Sequence, residues 1–451
     1  PGVVQISSAG PMPAIGVIEP DDAGRVYIAS AGVPEAIPSA EAADGSLLVG
    51  RIAADGEIDW LRFYDNTDAG LRTDTKLSGE APWDLELAHG SLYACSIGAV
   101  PGTTETPGDT NFGRVWRIDP ESGEVVAAVE TNEWIGGRWT TCAAITSDGA
   151  GHLYVHGAYQ SSASSPVTVP YIAKLNADDL SVVWLADDVY EPDERTGLQR
   201  VLLREAWGGI EFHQTGPQPG DGYVVASGYT WTKFLLRAAG SGPDVGGDAS
   251  PISVYATRYS SEGEKTWRIE FGGNGVDWPR ASDVDSQGNY YIGGLSTSTE
   301  GLVTAGPQGL GAGEGFIARI NPDGEIAWIR QITSPDGEEV RDVHIGRVEG
   351  QELIFASGHV FTNATGSTPY DPRRDVYAIA MTREGEIRRR IQFGSEKDEH
   401  ATIGLGGGFV YLGGQTYGSM VGPNEGGIDF YLTRLTMNGL DFAPVVDRSG
   451  R

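Results

Sequence analysis

The sequence predicts an all-β fold: one seven-bladed β-propeller of four-stranded antiparallel blades, closed by its N-terminal strand and spanning residues 1–451 as a single domain. Three observations predict it. An alternating strand pattern ending in small residues occurs seven times, and a pattern of strand, turn and strand also occurs seven times. Dividing 451 residues by seven leaves about 64 per copy, the length that four short strands, tight turns and two longer loops consume.

The elements follow in order. The chain opens with a spare strand-like segment, GVVQISS from Gly2 to Ser8. The first pattern then reads RVYIAS from Arg25, SLYACS from Ser91, HLYVHG from His152, YVVASG from Tyr223, NYYIGG from Asn289, ELIFASG from Glu352 and FVYLGG from Phe409. Between these copies stand the paired strands LLVGRIAADGEIDWLRFY, RVWRIDPESGEVVAAV, YIAKLNADDLSVVWLA, VYATRYSSEGEKTWRIEF, FIARINPDGEIAWIRQI and VYAIAMTREGEIRRRIQF, and a truncated FYLTRLTMNGLDF ends the series. Apolar and polar residues alternate at period two on both sides of each turn, as a packed hairpin requires. Gly56, Gly123, Gly263, Gly324 and Gly385 share one turn position, where a positive φ is free of Cβ strain, and each precedes a Glu. Trp60, Trp184, Trp267 and Trp328 recur on the outer strand and read as packing residues between neighbouring sheets. The last copy lacks a full outermost strand after Leu440, so the opening segment is expected to close that blade and tie the two ends together.

Composition narrows the function classes. Gly supplies 65 residues, about twice ordinary usage, which marks a turn-rich globular chain. The formal net charge is -30, from 32 basic and 62 acidic residues, a balance that repels phosphate backbones and anionic lipid heads. Nucleic acid is therefore not an expected partner. No apolar run approaches the roughly 18 to 20 residues of a membrane helix, so no membrane insertion is expected, and the chain reads as soluble, any leader having been removed or not included. Cys95 and Cys142 are expected to be free buried thiols. The Cys95 column holds Ala29, Ser227, Gly293, Ser357 and Gly413 elsewhere, which asks for a small side chain, with His156 breaking the pattern. Sheets packed about 10 Å apart rarely bring two Cα atoms within the roughly 7 Å that a disulfide needs.

Segments such as FGGNGVDWPRASDVDSQGNYYIGG followed by GFIARINPDGEIAWIRQI resemble the bacterial β-propeller repeat known as SBBP, with a more distant likeness to blades of quinoprotein enzymes. The resemblance covers nearly the whole chain and is sharpest from Val254 to Leu435; blades two to four depart from it through irregular insertions and a missing Trp in blade two. It implies a propeller of secreted or cell-surface bacterial proteins and no single activity. The adjacent cysteines of quinoprotein dehydrogenases are missing, so quinone binding does not carry over.

Within each unit the first and second strands, and the third and fourth, are joined tightly. The long connections run between second and third strands, at Ala31–Gly45, Ile97–Gly113, Tyr229–Pro251, Ser296–Glu314, Phe361–Arg374 and Thr416–Gly427, and between blades. All of them fall on one face, the expected functional surface. The start of each innermost strand rims the central channel there. Counting back from the aromatic of the second strand places Trp83, Trp139, Trp207 and Trp278 at that rim in blades two to five, with Arg138 and Arg280 beside two of them and Arg341 and His400 at the same level in blades six and seven. Flat rings beside Arg suit a sugar or planar ligand, and wedging of neighbouring blades is the structural alternative.

Signatures of chemistry are mostly missing. His152 and His156 have a four-residue spacing that a strand stretches to about 13 Å, too far for one zinc. His213, His344 and His400 fall on or near innermost strands and read as scattered polar residues; His400, beside Asp398 and Glu399, is the best placed for proton abstraction. Asp283, Asp285, Gln287 and Gly288 resemble a calcium loop but lie in a tight turn with Gly294 where the final acid belongs. GLGAGEG from Gly309 to Gly315 lacks the Lys and Ser or Thr of a phosphate loop. Asn363 begins an NAT sequon. No GxSxG, HExxH or CxxC occurs, and no metal or cofactor is expected. Two readings remain: an exported non-catalytic propeller that grips a glycan, peptide or protein partner through its long-loop face, or a channel-mouth polysaccharide lyase or glycoside hydrolase.

Overall fold

The computed structural model describes residues 3–6, 15–31, 47–64, 79–100, 110–135, 139–160, 168–187, 200–234, 252–301, 313–333, 337–362, 373–395, 397–420 and 429–441. They form seven four-stranded antiparallel sheets set around a ring, with one short helix, Asn132–Ile135. The innermost strands of blades one to seven are Ile15–Pro20, Gly79–Ala88, Ala144–Ser147, Arg200–Gln214, Asp277–Val284, Glu338–Val348 and Thr402–Gly406. Blade seven is completed from the other end of the chain. Val3–Ile6 pairs with Asp429–Thr436, Val3 opposite Thr433 and Ile6 opposite Phe430, so the first strand becomes the outermost strand of the last blade. The seven-bladed, N-terminally closed propeller expected from the repeats is the observed architecture. No helix among the described residues is long and apolar enough to cross a membrane.

The core lies between blades rather than within them. Tyr27, Ala29, Leu47 and Val49 of blade one pack against Leu85, Leu92, Ala94 and Trp116 of blade two, and the same meeting of facing sheets recurs around the ring. At the outer radius the recurrent tryptophans lock this packing. Trp60, Trp184, Trp267 and Trp328 donate from Nε1 to backbone carbonyls of Pro120, Ser261, Pro322 and Arg383, each in the outer hairpin turn of the next blade. Three of those rings lie on the turn glycine itself. A Cβ on Gly123, Gly263 or Gly324 would stand 2.7, 2.9 or 3.1 Å from the indole, and all three glycines hold a φ between 70° and 90°. The turn glycine therefore serves backbone conformation and inter-blade contact together.

At the inner radius aspartates replace tryptophans. Asp84, Asp283 and Asp342 accept hydrogen bonds from the backbone N–H of Ile145, Ile345 and Ile403, at 2.9, 2.5 and 2.9 Å, each on the innermost strand of the following blade. These side-chain to backbone bonds tie each of those innermost strands to the next.

Cys95 and Cys142 correct the expectation of free thiols: they form a disulfide between blades two and three, with Cα atoms 5.2 Å apart. A sheet spacing of about 10 Å applies at mid-blade. Near the axis the blades converge; Asp84, the register partner of Cys95, already reaches Ile145, three residues past Cys142. Denatured, unreduced protein should titrate no thiol, and two after reduction, with a loss on reduction of about 2 to 4 kcal/mol for a loop of 47 residues. Trp267→Ala should cost about 3 kcal/mol in a chemical melt by emptying the contact over Gly324.

Candidate functional site

Five innermost strands slip register where they open onto the channel mouth, between Ile15 and Val17, Pro82 and Asp84, Glu205 and Gly209, Pro279 and Ala281, and Val340 and Asp342. In four of them the extra residue is Gly16, Trp83, Arg280 or Arg341. A bulge re-aims its side chain out of the pleat, and all four residues line one cavity of about 620 Å³ in the central channel. Below the bulges the strands return to strict alternation. Two residues further along, one level presents Glu19, Glu86, Thr146, Glu211, Asp283 and His344, from blades one to six, all in the wall of the same cavity.

The cavity thus has a mouth and a neck of different chemistry. Burial is the largest influence on the neck carboxyls. It pushes Asp283 up to about 6, Asp84 up to about 7 and Glu86 up to about 8, and it holds Glu19 and Glu211 well above the usual carboxylate range. Mutual repulsion adds to this: Asp84 acts on Glu86, Glu86 on Glu19, and Asp283 on Glu211. His344 stands 3.5 Å from Asp342 and 3.9 Å from Asp283. Glu86 consequently keeps its proton near neutral pH and can donate as well as accept.

At the mouth, Arg280 donates from Nε to Glu339 Oε1 at 2.5 Å, and Arg341 reaches the same oxygen at 3.4 Å. Arg374 donates to His400 Nε2 at 3.0 Å. His400 also faces Asp398, whose carboxylate stands 3.6 Å from Nε2. The His400 ring stands edge-on to buried His359, with centroids 4.7 Å apart. Burial, followed by the charge of Arg341, holds His359 well below the ordinary histidine range.

The structure brings Trp83, Arg280, Arg341 and His400 together around this cavity. Trp139 and Trp278 stand elsewhere. Measured from the residue that resumes pairing below the bulge, Trp83 lies one position before Asp84, Trp207 two before Gly209 and Trp278 three before Ala281. Trp139 lies five before Ala144, where its carbonyl accepts from Gln160 at 3.0 Å. Trp278 carries the Arg280 guanidinium 5.3 Å from its ring centre and so supports the arginine. Arg138, the side chain of Trp207, most of the long connections and Asn363 lie outside the described residues. Counting from one aromatic to the next missed the bulges, which displace each strand by a residue or two.

His213, His344 and His400 do not converge. His213 lies tilted against Tyr223, with ring centres 5.1 Å apart, beside Gly288, whereas His344 is in the neck and His400 at the mouth. His152 pairs with Asp148 at 2.9 Å. Asp285 binds the N–H groups of Gln287 and Asn289, both at 2.9 Å, as the cap of a tight turn. Among the described residues no group of three or more His, Cys, Asp or Glu is arranged to hold a metal ion. Sequence reading missed the neck carboxyls and the pair Arg374 and Glu339. The signal for the neck was present: once Asp84, Ala281 and Asp342 are aligned, every second residue of the innermost strands falls in the channel.

No protein-family model matches the chain, and comparison with curated proteins finds no relative. Solved structures similar over most of the chain include the phage phi92 endosialidase, 10% identical, covering 100% of this chain and 70% of that one at a TM-score of 0.45. The WD40 domain of Neurospora crassa Pan2 is 8% identical, with coverage of 96% and 91% and a TM-score of 0.43. Trypanosoma rangeli sialidase in complex with sialic acid is 10% identical, with coverage of 96% and 59% and a TM-score of 0.42.

The raised neck carboxyls set a pH dependence of known sign. A folded carboxyl that keeps its proton to about pH 8, while the unfolded chain releases it near 4.3, binds more protons when folded, so stability falls as pH rises towards 8. Depressed His359 acts oppositely, but only below about 6.5, where an unfolded histidine protonates. Melting temperature should therefore fall between pH 6.5 and 8.5, and Glu86→Gln should make that fall shallower.

Proposed function

We propose that this chain is an exported, non-catalytic binding propeller that takes a glycan at the mouth of its channel. The observation that carries the reading is the cavity of about 620 Å³ whose wall joins Trp83 to Arg280, Arg341 and His400 above a neck of carboxyls. An indole supplies a stacking face, and convergent fixed polar groups supply orientation, the combination that sugar hydroxyls and ring C–H groups require. His400 Nε2 is occupied by its contact with Arg374, which argues against its acting as the base of a lyase. The inter-blade disulfide fits an oxidising, extracytoplasmic compartment. We retain the SBBP-type repeat as the proposed kinship, supported by the hairpins and their tryptophans.

A second reading rests on one observation. Glu86, pushed up to about 8, holds its proton at neutral pH, and Asp84 is raised to about 7; this meets the first requirement of a general acid, so a glycoside hydrolase remains the alternative.

A glycan array followed by titration and by product analysis on the same oligosaccharides separates the two. Binding without turnover supports the binding propeller; cleavage abolished by Glu86→Gln or Asp84→Asn supports the hydrolase. Trp83→Ala should weaken glycan binding by about 10- to 100-fold with little change in melting temperature. Binding only to a peptide or protein, with none to any glycan, contradicts both.

A further inference from the structure

We infer that the mouth at blades five to seven is an anion subsite, and that the glycan is an acidic one whose carboxylate docks between Arg341 and Arg374; this rests on the glycan reading above. Three guanidiniums, Arg280, Arg341 and Arg374, gather around buried His359, and all three act on its charge state. Their counter-charges are fewer. Glu339 serves Arg280 at 2.5 Å and Arg341 at 3.4 Å with the same oxygen, and Asp398 stands 3.8 Å from Arg374. Burial holds His359 well below the ordinary histidine range, and Glu399 is turned away into bonds with Ser395 and Thr416. Arg390 is neutralised separately by Glu338.

Among the described residues three positive charges are therefore paired with two negative ones, in a chain of net charge -30. Such a local excess needs a reason. Arg280 is fixed by its bond to Glu339 and by the Trp278 ring, which leaves Arg341 and Arg374 as the open arms. The Arg341 side chain is 39% exposed and that of Arg374 29%, whereas Glu339 beneath them is 8% exposed. Arg374 Nε and His359 Nδ1 are buried and lack a hydrogen-bond partner. A carboxylate seated there supplies the missing negative charge and accepts from donors already oriented by Glu339 and His400. The neck on the other flank, with its protonated carboxyls and Trp83, suits the neutral hydroxyls and ring of the same sugar.

The test uses the whole chain and matched probes: oligogalacturonates and glucuronate-bearing oligosaccharides, each with and without methyl esterification of the carboxyl, beside a neutral oligosaccharide panel. The free acids should bind at least about 10-fold more tightly than their esters at 0.15 M salt, with the preference shrinking as salt is raised. Arg341→Gln and Arg374→Gln should each remove most of that preference, so that acid and ester bind within about twofold of each other, while the melting temperature of the variant stays that of the parent, a result a misfolded variant cannot give. Equal affinity for acid and ester, or a preference that survives both substitutions together, overturns the anion subsite and leaves the glycan reading standing. Absence of binding to every acidic and neutral probe overturns both.

Discussion

The approach of one blade to the next governs everything at the channel. Seven sheets can share an axis only if each is held at one angle and one distance from its neighbour, and the chain fixes that relation at two radii. Outside, an indole lies on the turn glycine of the following blade and bonds to its carbonyl, as Trp267 does with Gly324 and Pro322. Inside, an aspartate reaches the backbone of the next innermost strand, as Asp342 does with Ile403. The Cys95–Cys142 bond adds a covalent tie near the inner radius between blades two and three.

The inner ties have a chemical consequence. Drawing the innermost strands together encloses a narrow channel, and period-two alternation then obliges every second residue to face it. Glu19, Glu86, Glu211 and Asp283 are brought to one level of that enclosure, where loss of solvent and mutual repulsion favour the protonated form. The bulges above release Trp83, Arg280 and Arg341 from the alternation and turn them towards the mouth. Neck and mouth thus differ because one obeys the strand period and the other breaks it.

That difference also decides how much could be read from the sequence. Strand count, blade count and closure by Val3–Ile6 were legible because they rest on repetition, which one sequence displays seven times. The tryptophans over the turn glycines were legible for the same reason. Trp139 and Trp278 were placed at the rim by counting, but a bulge shifts register without a composition signal, and among the described side chains Trp83 is the tryptophan that lines the cavity with Arg280, Arg341 and His400. The disulfide was missed because mid-blade spacing was applied near the axis. Arg374 was invisible for another reason: it sits on a third strand and reaches His400 only through the fold.

The central claim is that a glycan occupies the channel mouth, and the most direct measurement is a crystal structure of the chain with an oligosaccharide that it binds in solution. The account predicts density within the cavity, with a sugar ring against Trp83 and polar contacts to Arg341. A ligand seated instead on the outer strands or at the opposite end of the channel, with the mouth unoccupied, would contradict it.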